Sequence, residues 1–448
     1  MKKAGKTICF TAVFIVLMLA SPVSVSGVLN PLPGRSSCAD CNVVIILVDA
    51  LRYDHLGCYG YHRDTSPNID ALSRRGRMFT NAVSQATWTK PSVTSLFVSD
   101  YVSGHNITRY SREFDVEGAD NVLPDTAVTL AEVMSENGYT TAGIIGNNFI
   151  QKGFGLEQGF AQYDFVKGRN KDTEITDRAV RWIEKNQKER FFLYLHYMAP
   201  HSDYDPPEQF RKMFKPYYDG AIDFTGRHKF DVDSMRGEDI DELVARYDGE
   251  IRYVDSEIGR LVNYLNSSGL MRRTYLVLLS DHGEALAERG YVGHSRLLNT
   301  IVQVPLIIVD PAGSHPVKTD RVVESIDTGP TILAALGLKT PDAFQGRNIF
   351  GRIYKRYAYI QGASRADRWQ TGIRTRKLIF KYRTDRNEVY DINRDPYEHV
   401  TLSLSPRMVK KLFFKAQFEF TRRAKTRTVA GNINTQTREQ LRALGYVN

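Results

Sequence analysis

Long apolar runs are scarce in this sequence of 448 residues. The one near the start, Ile8 to Ala20, covers about thirteen positions where a bilayer span needs roughly 20. A multi-span membrane protein is thereby excluded. There is no internal repeat and no low-complexity run, which sets aside solenoids and disordered tails. No nucleic-acid motif is present, and the formal net charge of +9 is a modest excess. Three of those charges, Lys2, Lys3 and Lys6, lie in a segment expected to be removed, leaving +6. Cysteine is rare, with 4 in the chain. Cys9 falls in the first apolar run, Cys58 stands alone, and Cys38 and Cys41 form a C-x-x-C that reads as a small disulfide, two free thiols or half a metal site. A redox role would want a helix after that motif, and a strand pattern follows instead.

What is present, 42% apolar and 25% charged residues, is the profile of a globular protein with a large core. The length suits one large domain with an appendage. Lys2, Lys3 and Lys6, then the apolar run, then small residues through Ser26 and Gly27 follow the order of an export signal. Residues 1–27 are expected to be a signal peptide or an uncleaved N-terminal anchor, which places the protein in the periplasm or outside the cell. No lipobox cysteine follows the apolar run.

Asn42 to Val48 (NVVIILV) is continuously apolar and β-branched, as a strand covered on both faces should be. Similar runs recur at Thr141 to Ile145, Phe191 to His196, Tyr275 to Leu279 and Pro305 to Val309. Helical patterns separate them: Asn68 to Arg75, Ala127 to Asn137, Thr176 to Asn186, Asp239 to Asn266 and Ile326 to Leu336. This alternation predicts an α/β fold, a large, mainly parallel sheet between helices. Functional side chains then belong at the carboxyl ends of the strands. Asp49 follows the first strand, His196 ends the Phe191 strand, and Asp281 and His282 follow the Tyr275 strand. Beyond Gly346 the pattern changes to short alternating segments such as Lys377 to Tyr382 (KLIFKY), which predict a small antiparallel sheet. Pro406 to Arg427 reads as a basic helix whose phenylalanines pack on the body of the protein or meet a membrane surface. The expected division is 40–346 for the main domain and 355–448 for the C-terminal subdomain.

The segments Val48 to Gly60 (VDALRYDHLGCYG), Thr65 to Leu72 (TSPNIDAL), Thr87 to Leu96 (TWTKPSVTSL) and His196 to Pro207 (HYMAPHSDYDPP) resemble successive motifs of the sulfatase family. Ser280 to Glu284 (SDHGE), Gly293 to Ser295 (GHS), Val304 to Ile308, Asp327 to Leu333, Glu388 to Glu398 and Gln440 to Val447 continue the resemblance in the same order. It spans almost the whole chain past the first segment. The resemblance implies an alkaline-phosphatase-like fold and a metal-dependent hydrolase of sulfuric or phosphoric esters. Asp49, Asp281 and His282 stand at its metal positions, and Thr89 at the cysteine that becomes formylglycine. His294, His201 and His196 are candidates for proton transfer or anion binding, although His196 and His201 would serve equally well as structural residues. Lys90 and Asn147 are candidates for contacts with substrate oxygens. Two carboxylates and an imidazole favour Mn²⁺ or Zn²⁺ over Ca²⁺ or Mg²⁺.

The departures carry information too. Oxidising a threonine gives a ketone, not the aldehyde from which formylglycine hydrate forms, so the usual sulfatase route is closed at Thr89. Ala50 replaces a second metal-binding aspartate, Val93 replaces the signature arginine, and Gly146 to Asn148 (GNN) stands where many sulfatases have G-K-W-H. What remains resembles phosphoglycerol and phosphoethanolamine transferases and threonine-dependent phosphodiesterases. An envelope transferase of that kind, or a non-catalytic relative that binds anionic glycans or lipids, is the alternative to a hydrolase. The expected partner is an anionic ester, sulfated or phosphorylated, on a glycan, lipid or small molecule, with no nucleic acid involved.

Overall fold

The computed structural model describes residues 26–28, 38–107, 120–168, 171–224, 230–311, 317–351, 353–355, 357–363, 369–383, 387–403 and 429–431. Residues 1–25, the basic helix candidate at 406–427 and the motif at 440–447 lie outside the described residues, so the readings made there are left as expectations.

Strand β1, Asn42–Val48, runs through the middle of the molecule with all seven residues buried. On one side it pairs in parallel with β2, Phe191–Tyr197, and on the other with β3, Thr274–Ser280. Thr140–Ile145 adds in parallel beyond β2, followed by Gln162–Phe165. Beyond β3 the sheet turns mixed. Leu306–Val309 is antiparallel to β3 and to Arg77–Val83, and Val317–Glu324 is parallel to the latter. Short strands Ser26–Val28 and Ile353–Lys355 finish that edge of an eleven-stranded sheet.

Alternation along β1 sorts the core into two layers. Val44, Ile46 and Val48 pack with the helices Pro67–Ser73 (α1), Asp172–Asn186 (α4) and Gly237–Ser267 (α5). Val43, Ile45 and Leu47 pack on the opposite face with Thr89–Val98 (α2), Leu130–Glu136 (α3) and Thr328–Leu336 (α6). Successive side chains of a strand point to opposite faces, so a strand apolar at every position must be covered twice. The expected α/β sheet between helices is therefore what forms. Among the described residues no helix is long and apolar enough to cross a membrane.

The strands Arg77–Val83 and Val317–Glu324 and helix α2 carried no clear sequence pattern. Arg77, Thr80 and Asn81 interrupt the first strand, and five of the eight residues of the second, Lys318, Thr319, Asp320, Arg321 and Glu324, are polar. In α2 all ten residues are buried, so no polar face marks a helical period.

After residue 346 the chain forms the small antiparallel sheet expected there, with strands Tyr357–Ala363, Trp369–Thr375, Leu378–Arg383 and Asn387–Asp391. It docks on the main sheet through buried polar groups that are paired with one another. The Arg374 guanidinium donates to Asn299 Oδ1 at 2.9 Å, Asn81 Oδ1 at 3.1 Å and Gln303 Oε1 at 2.6 Å. Lys381 pairs with Glu398, whose other oxygen accepts from the Asn299 backbone at 2.9 Å. A buried network is tolerable in a low-dielectric interior when its members find such partners. Cys38 and Cys41 are joined in a disulfide just before β1.

Ile46 sits fully buried in the middle of β1. Ile46→Ala is expected to lower unfolding stability by about 2–5 kcal/mol, the range for a large-to-small change in a packed core. Urea denaturation checks this, and a loss below about 1 kcal/mol would show that the site collapses around the cavity.

Candidate active site

Four neighbouring parallel strands end on the same side of the sheet, and the polar residues gather there. Their registers bring Val48 level with Ser280 and Tyr197, and Ile145 level with His196. Asp49, one residue past β1, therefore lies beside Asp281 and His282, one and two residues past β3. His196 is the sixth residue of β2, and Asn147 follows the Thr140–Ile145 strand by two positions.

The turn after Asp49 is held firmly. Tyr247 of α5 donates its hydroxyl to Ala50 O at 2.7 Å and accepts from Arg52 N at 2.9 Å. Ser280 Oγ accepts from Leu51 N at 3.0 Å, and Ala50 N donates to Asp281 Oδ1 at 3.2 Å. Ala50 adopts φ 57°, a left-handed conformation that costs a residue with a Cβ about 1 kcal/mol or more. That cost is borne at the point where the carboxylate must be aimed.

Thr89 comes from the other side, as the first residue of α2. The loop before it is backed by the small sheet. Gln361 N donates to Gln85 O at 2.8 Å, and Gly362 lies so near Thr87 that a Cβ there would stand 3.0 Å from the threonine methyl. Thr89 Oγ1 ends 3.4 Å from Asp49 Oδ2, 3.4 Å from His282 Nε2 and 3.3 Å from Asn147 Nδ2. Thr89 opens α2, so the positive end of that helix's dipole lies at this point, which favours a negatively charged ligand.

Asp49, Asp281 and His282 offer one ligand atom each within 4.8 Å of one another, and all three side chains are buried. Asp49 Oδ1 and Asp281 Oδ2 have no hydrogen-bond partner. His282 Nδ1 donates to Gly283 O at 2.8 Å, which leaves the lone pair of Nε2 facing the two carboxylates at 3.5 and 3.4 Å. Burial holds His282 in its neutral form, well below the usual imidazole range. Burial and the adjacent Asp49 charge push Asp281 well above the usual carboxylate range. For Asp49 burial acts in the same upward direction, but His201, His196 and His282 outweigh it and hold the carboxyl well below its ordinary value. Two unpartnered carboxylate oxygens and the Nε2 lone pair of a neutral imidazole around one point are a donor set that fits a divalent ion.

The remaining candidates take distinct places. His196 Nε2 donates to Asp49 Oδ2 at 3.0 Å while Tyr194 OH donates to its Nδ1 at 2.8 Å, so the ring orients the carboxylate. Asn147 points inward, with Nδ2 donating to Asp49 Oδ2 at 2.6 Å and Oδ1 accepting from Phe149 N at 2.8 Å. His294 and His201 lie beside the Asp49, Asp281 and His282 cluster, their ring centres 4.4 and 6.4 Å from that of His282 and 5.0 Å from each other. His201 Nδ1 donates to Ser202 O at 2.8 Å. Lys90 is buried with Nζ 4.1 Å from the centre of the Phe154 ring. Two residues acquire roles that no sequence pattern assigned. Glu284 pairs with His294 Nδ1 at 3.1 Å and raises its pKa against the effect of burial, and Tyr194 steadies His196. Glu284 lies inside the SDHGE motif, whereas Tyr194 had no signal beyond its place in a strand.

A sulfatase family model matches residues 41–338, which takes in every residue of this cluster. An arylsulfatase of Clostridium perfringens is 24% identical over 441 residues, covering 81% of this chain and 90% of that one. Among solved structures, the phosphonate monoester hydrolase of Agrobacterium radiobacter aligns with a TM-score of 0.72 at 18% identity, over 86% of this chain and 96% of that one. A protein solved in complex with its substrate D-glucosamine-2-N,6-O-disulfate aligns with a TM-score of 0.69 at 18% identity, over 91% and 98%. The family match across about two thirds of the chain and the shared fold lead to one conclusion: the chain belongs to the sulfatase family of ester hydrolases.

Proposed function

We propose that this protein is a metal-dependent hydrolase of sulfuric or phosphoric esters in which Thr89, at the position of the formylglycine cysteine, is the nucleophile. The observation that carries this reading is the placement of Thr89 Oγ1 at 3.4 Å from both Asp49 Oδ2 and His282 Nε2 at the start of a buried helix. A divalent ion on Asp49, Asp281 and His282, with Mn²⁺ or Zn²⁺ best suited to the mixed donors, would supply Lewis acidity to the hydroxyl and to the ester oxygens.

The chain's own groups do the rest. Thr89 gives its proton to solvent, and its Oγ attacks phosphorus or sulfur in line. As that bond forms, the bond to the organic oxygen breaks, and the leaving oxygen takes a proton from His294. Glu284 keeps His294 protonated to higher pH and so maintains it as an acid. Water then attacks the Thr89 ester and passes a proton back to His294, and Thr89 Oγ leaves and regains its hydrogen from solvent. His196 and Asn147 hold Asp49 and Thr89 in register throughout. The substrate is an anionic ester on a glycan, lipid or small molecule, and the N-terminal pattern together with the Cys38–Cys41 disulfide supports an exported enzyme.

Brief exposure to aryl phosphate, aryl phosphodiester and aryl sulfate with Mn²⁺ or Zn²⁺ is expected to leave a mass-spectrometric adduct on Thr89. Thr89→Ala is expected to lose at least about 10³-fold in kcat. Turnover by Thr89→Ala at the wild-type rate would sink the proposal. Asp281→Asn and His282→Ala should each reduce bound metal in elemental analysis, and unchanged content would remove them as ligands. Glu284→Gln takes away the group that raises the His294 pKa. The alkaline limb of the kcat/KM profile, where the acid loses its proton, should then move to lower pH, and an unmoved limb would exclude His294 as that acid.

A further inference from the structure

His201 reaches the site on a loop, residues 198–205, that leaves β2 after Tyr197 and runs to Pro206. Two buried carboxyl groups hold the ends of this loop, and the chemistry described uses neither. At the near end Asp172, the first residue of α4, accepts from Met198 N at 2.7 Å on Oδ1 and from Ala199 N at 2.9 Å on Oδ2. Met198 O in turn accepts from His201 N at 2.8 Å, so the backbone that carries the imidazole is tied to this carboxylate through one residue. At the far end Glu250 of α5 accepts from the Asp205 backbone. Its neighbour Gly249 lets the helix come close there, since a Cβ on it would stand 2.8 Å from Phe210 O and 3.1 Å from Pro206 Cγ. Between the two anchors the His201 ring lies 5.0 Å from that of His294, near enough to Asp49 for its charge to act on the carboxylate.

We infer that Asp172 and Glu250 are positioning residues, a pair of clamps that fix His201 beside Asp49 and His294 so that its ring can hold the anionic group of the ester. The two clamps work differently. Burial raises the Asp172 carboxyl to about 6, which leaves it ionised at neutral pH. Both of its oxygens accept, and such charge-assisted bonds are stronger than neutral ones. Burial and the negative charges of Asp172, Asp205 and Asp203 push Glu250 well above the usual carboxylate range. A carboxyl kept uncharged accepts on its carbonyl oxygen, and a glutamine amide does the same. Asparagine in place of Asp172 offers one acceptor oxygen and sets an NH₂ group against the second backbone N–H, donor facing donor. This reading rests on the ester site assigned above and adds a duty for His201 and the groups that aim it.

Inorganic phosphate binding to the Mn²⁺-loaded full chain, followed by isothermal titration calorimetry, separates aiming from general structure. Asp172→Asn, Glu250→Ala and His201→Ala should each weaken phosphate by about tenfold, with bound metal unchanged in elemental analysis. Glu250→Gln should stay within about threefold of wild type. Adding Asp172→Asn to His201→Ala should cost no further affinity, because the group being aimed is already gone. The inference is overturned if Asp172→Asn and Glu250→Ala bind phosphate as wild type does, if His201→Ala does so, or if the Asp172→Asn loss adds in full to that of His201→Ala. It is overturned equally if Glu250→Gln is as weak as Glu250→Ala, or if the clamp variants lose their metal, the mark of a site whose structure has gone. Each clamp is read by itself, so a variant that fails to fold leaves the other to decide. Wild type that binds no phosphate would overturn the ester site and the clamps with it, whereas a binding wild type with unmoved variants overturns the clamps alone.

Discussion

The molecule is organised around a repulsion. Asp49 and Asp281 are buried side by side, each with one oxygen that no hydrogen bond satisfies. Like charges in a low-dielectric interior disfavour each other's ionisation, and the opposite shifts of the two carboxyls express this. Such an arrangement persists only if the surrounding fold forces it, and the forcing comes from the sheet. Two adjacent parallel strands in fixed register, each buried on both faces, leave the residues that follow them no other place to go. A divalent ion held by both carboxylates would relieve the conflict, and metal affinity would then be tied to the stability of the central strands.

Around that pair each further contact does double duty. Tyr247, Ser280 and the backbone of Ala50 hold the turn after Asp49, and they do so at a left-handed alanine. His196 and Asn147 use up Asp49 Oδ2, so that the oxygen left over is the one facing Asp281 and His282. The small C-terminal sheet, remote in sequence, supports the loop that delivers Thr89, and its own docking depends on the buried Arg374 and Lys381 pairings. The placement of Thr89 therefore depends on packing between two sheets as well as on its immediate neighbours.

Much of this was legible before any coordinates. The apolar runs from Asn42, Phe191 and Tyr275 announced strands covered on both faces, and residues directly after such strands are where a parallel sheet presents its functional groups. Less legible were Arg77–Val83 and Thr89–Val98. The first hides its strand behind Arg77, Thr80 and Asn81, whose polar groups find partners inside the fold, such as Asp320 O for Asn81 and Thr319 O for Thr80. The second is buried all round, so its residues carry no period to read. Asn147 and Lys90 stood alike in sequence as contacts for substrate oxygens, yet one turns its amide onto Asp49 and Thr89 and the other lays its ammonium on a phenyl ring.

The sequence by itself determined the layered sheet, the family, and the residue types available for binding an ion and attacking an ester, because burial pattern and motif order are written along the chain. Tertiary structure alone decided which of those side chains meet. Strand register set Asp49 beside Asp281, Glu284 turned toward His294, and Asp172 met the Met198 and Ala199 backbone that leads to His201. Such pairings depend on distances of a few ångströms between segments far apart in sequence, and only the packed sheet, through its fixed spacing and twist, supplies them.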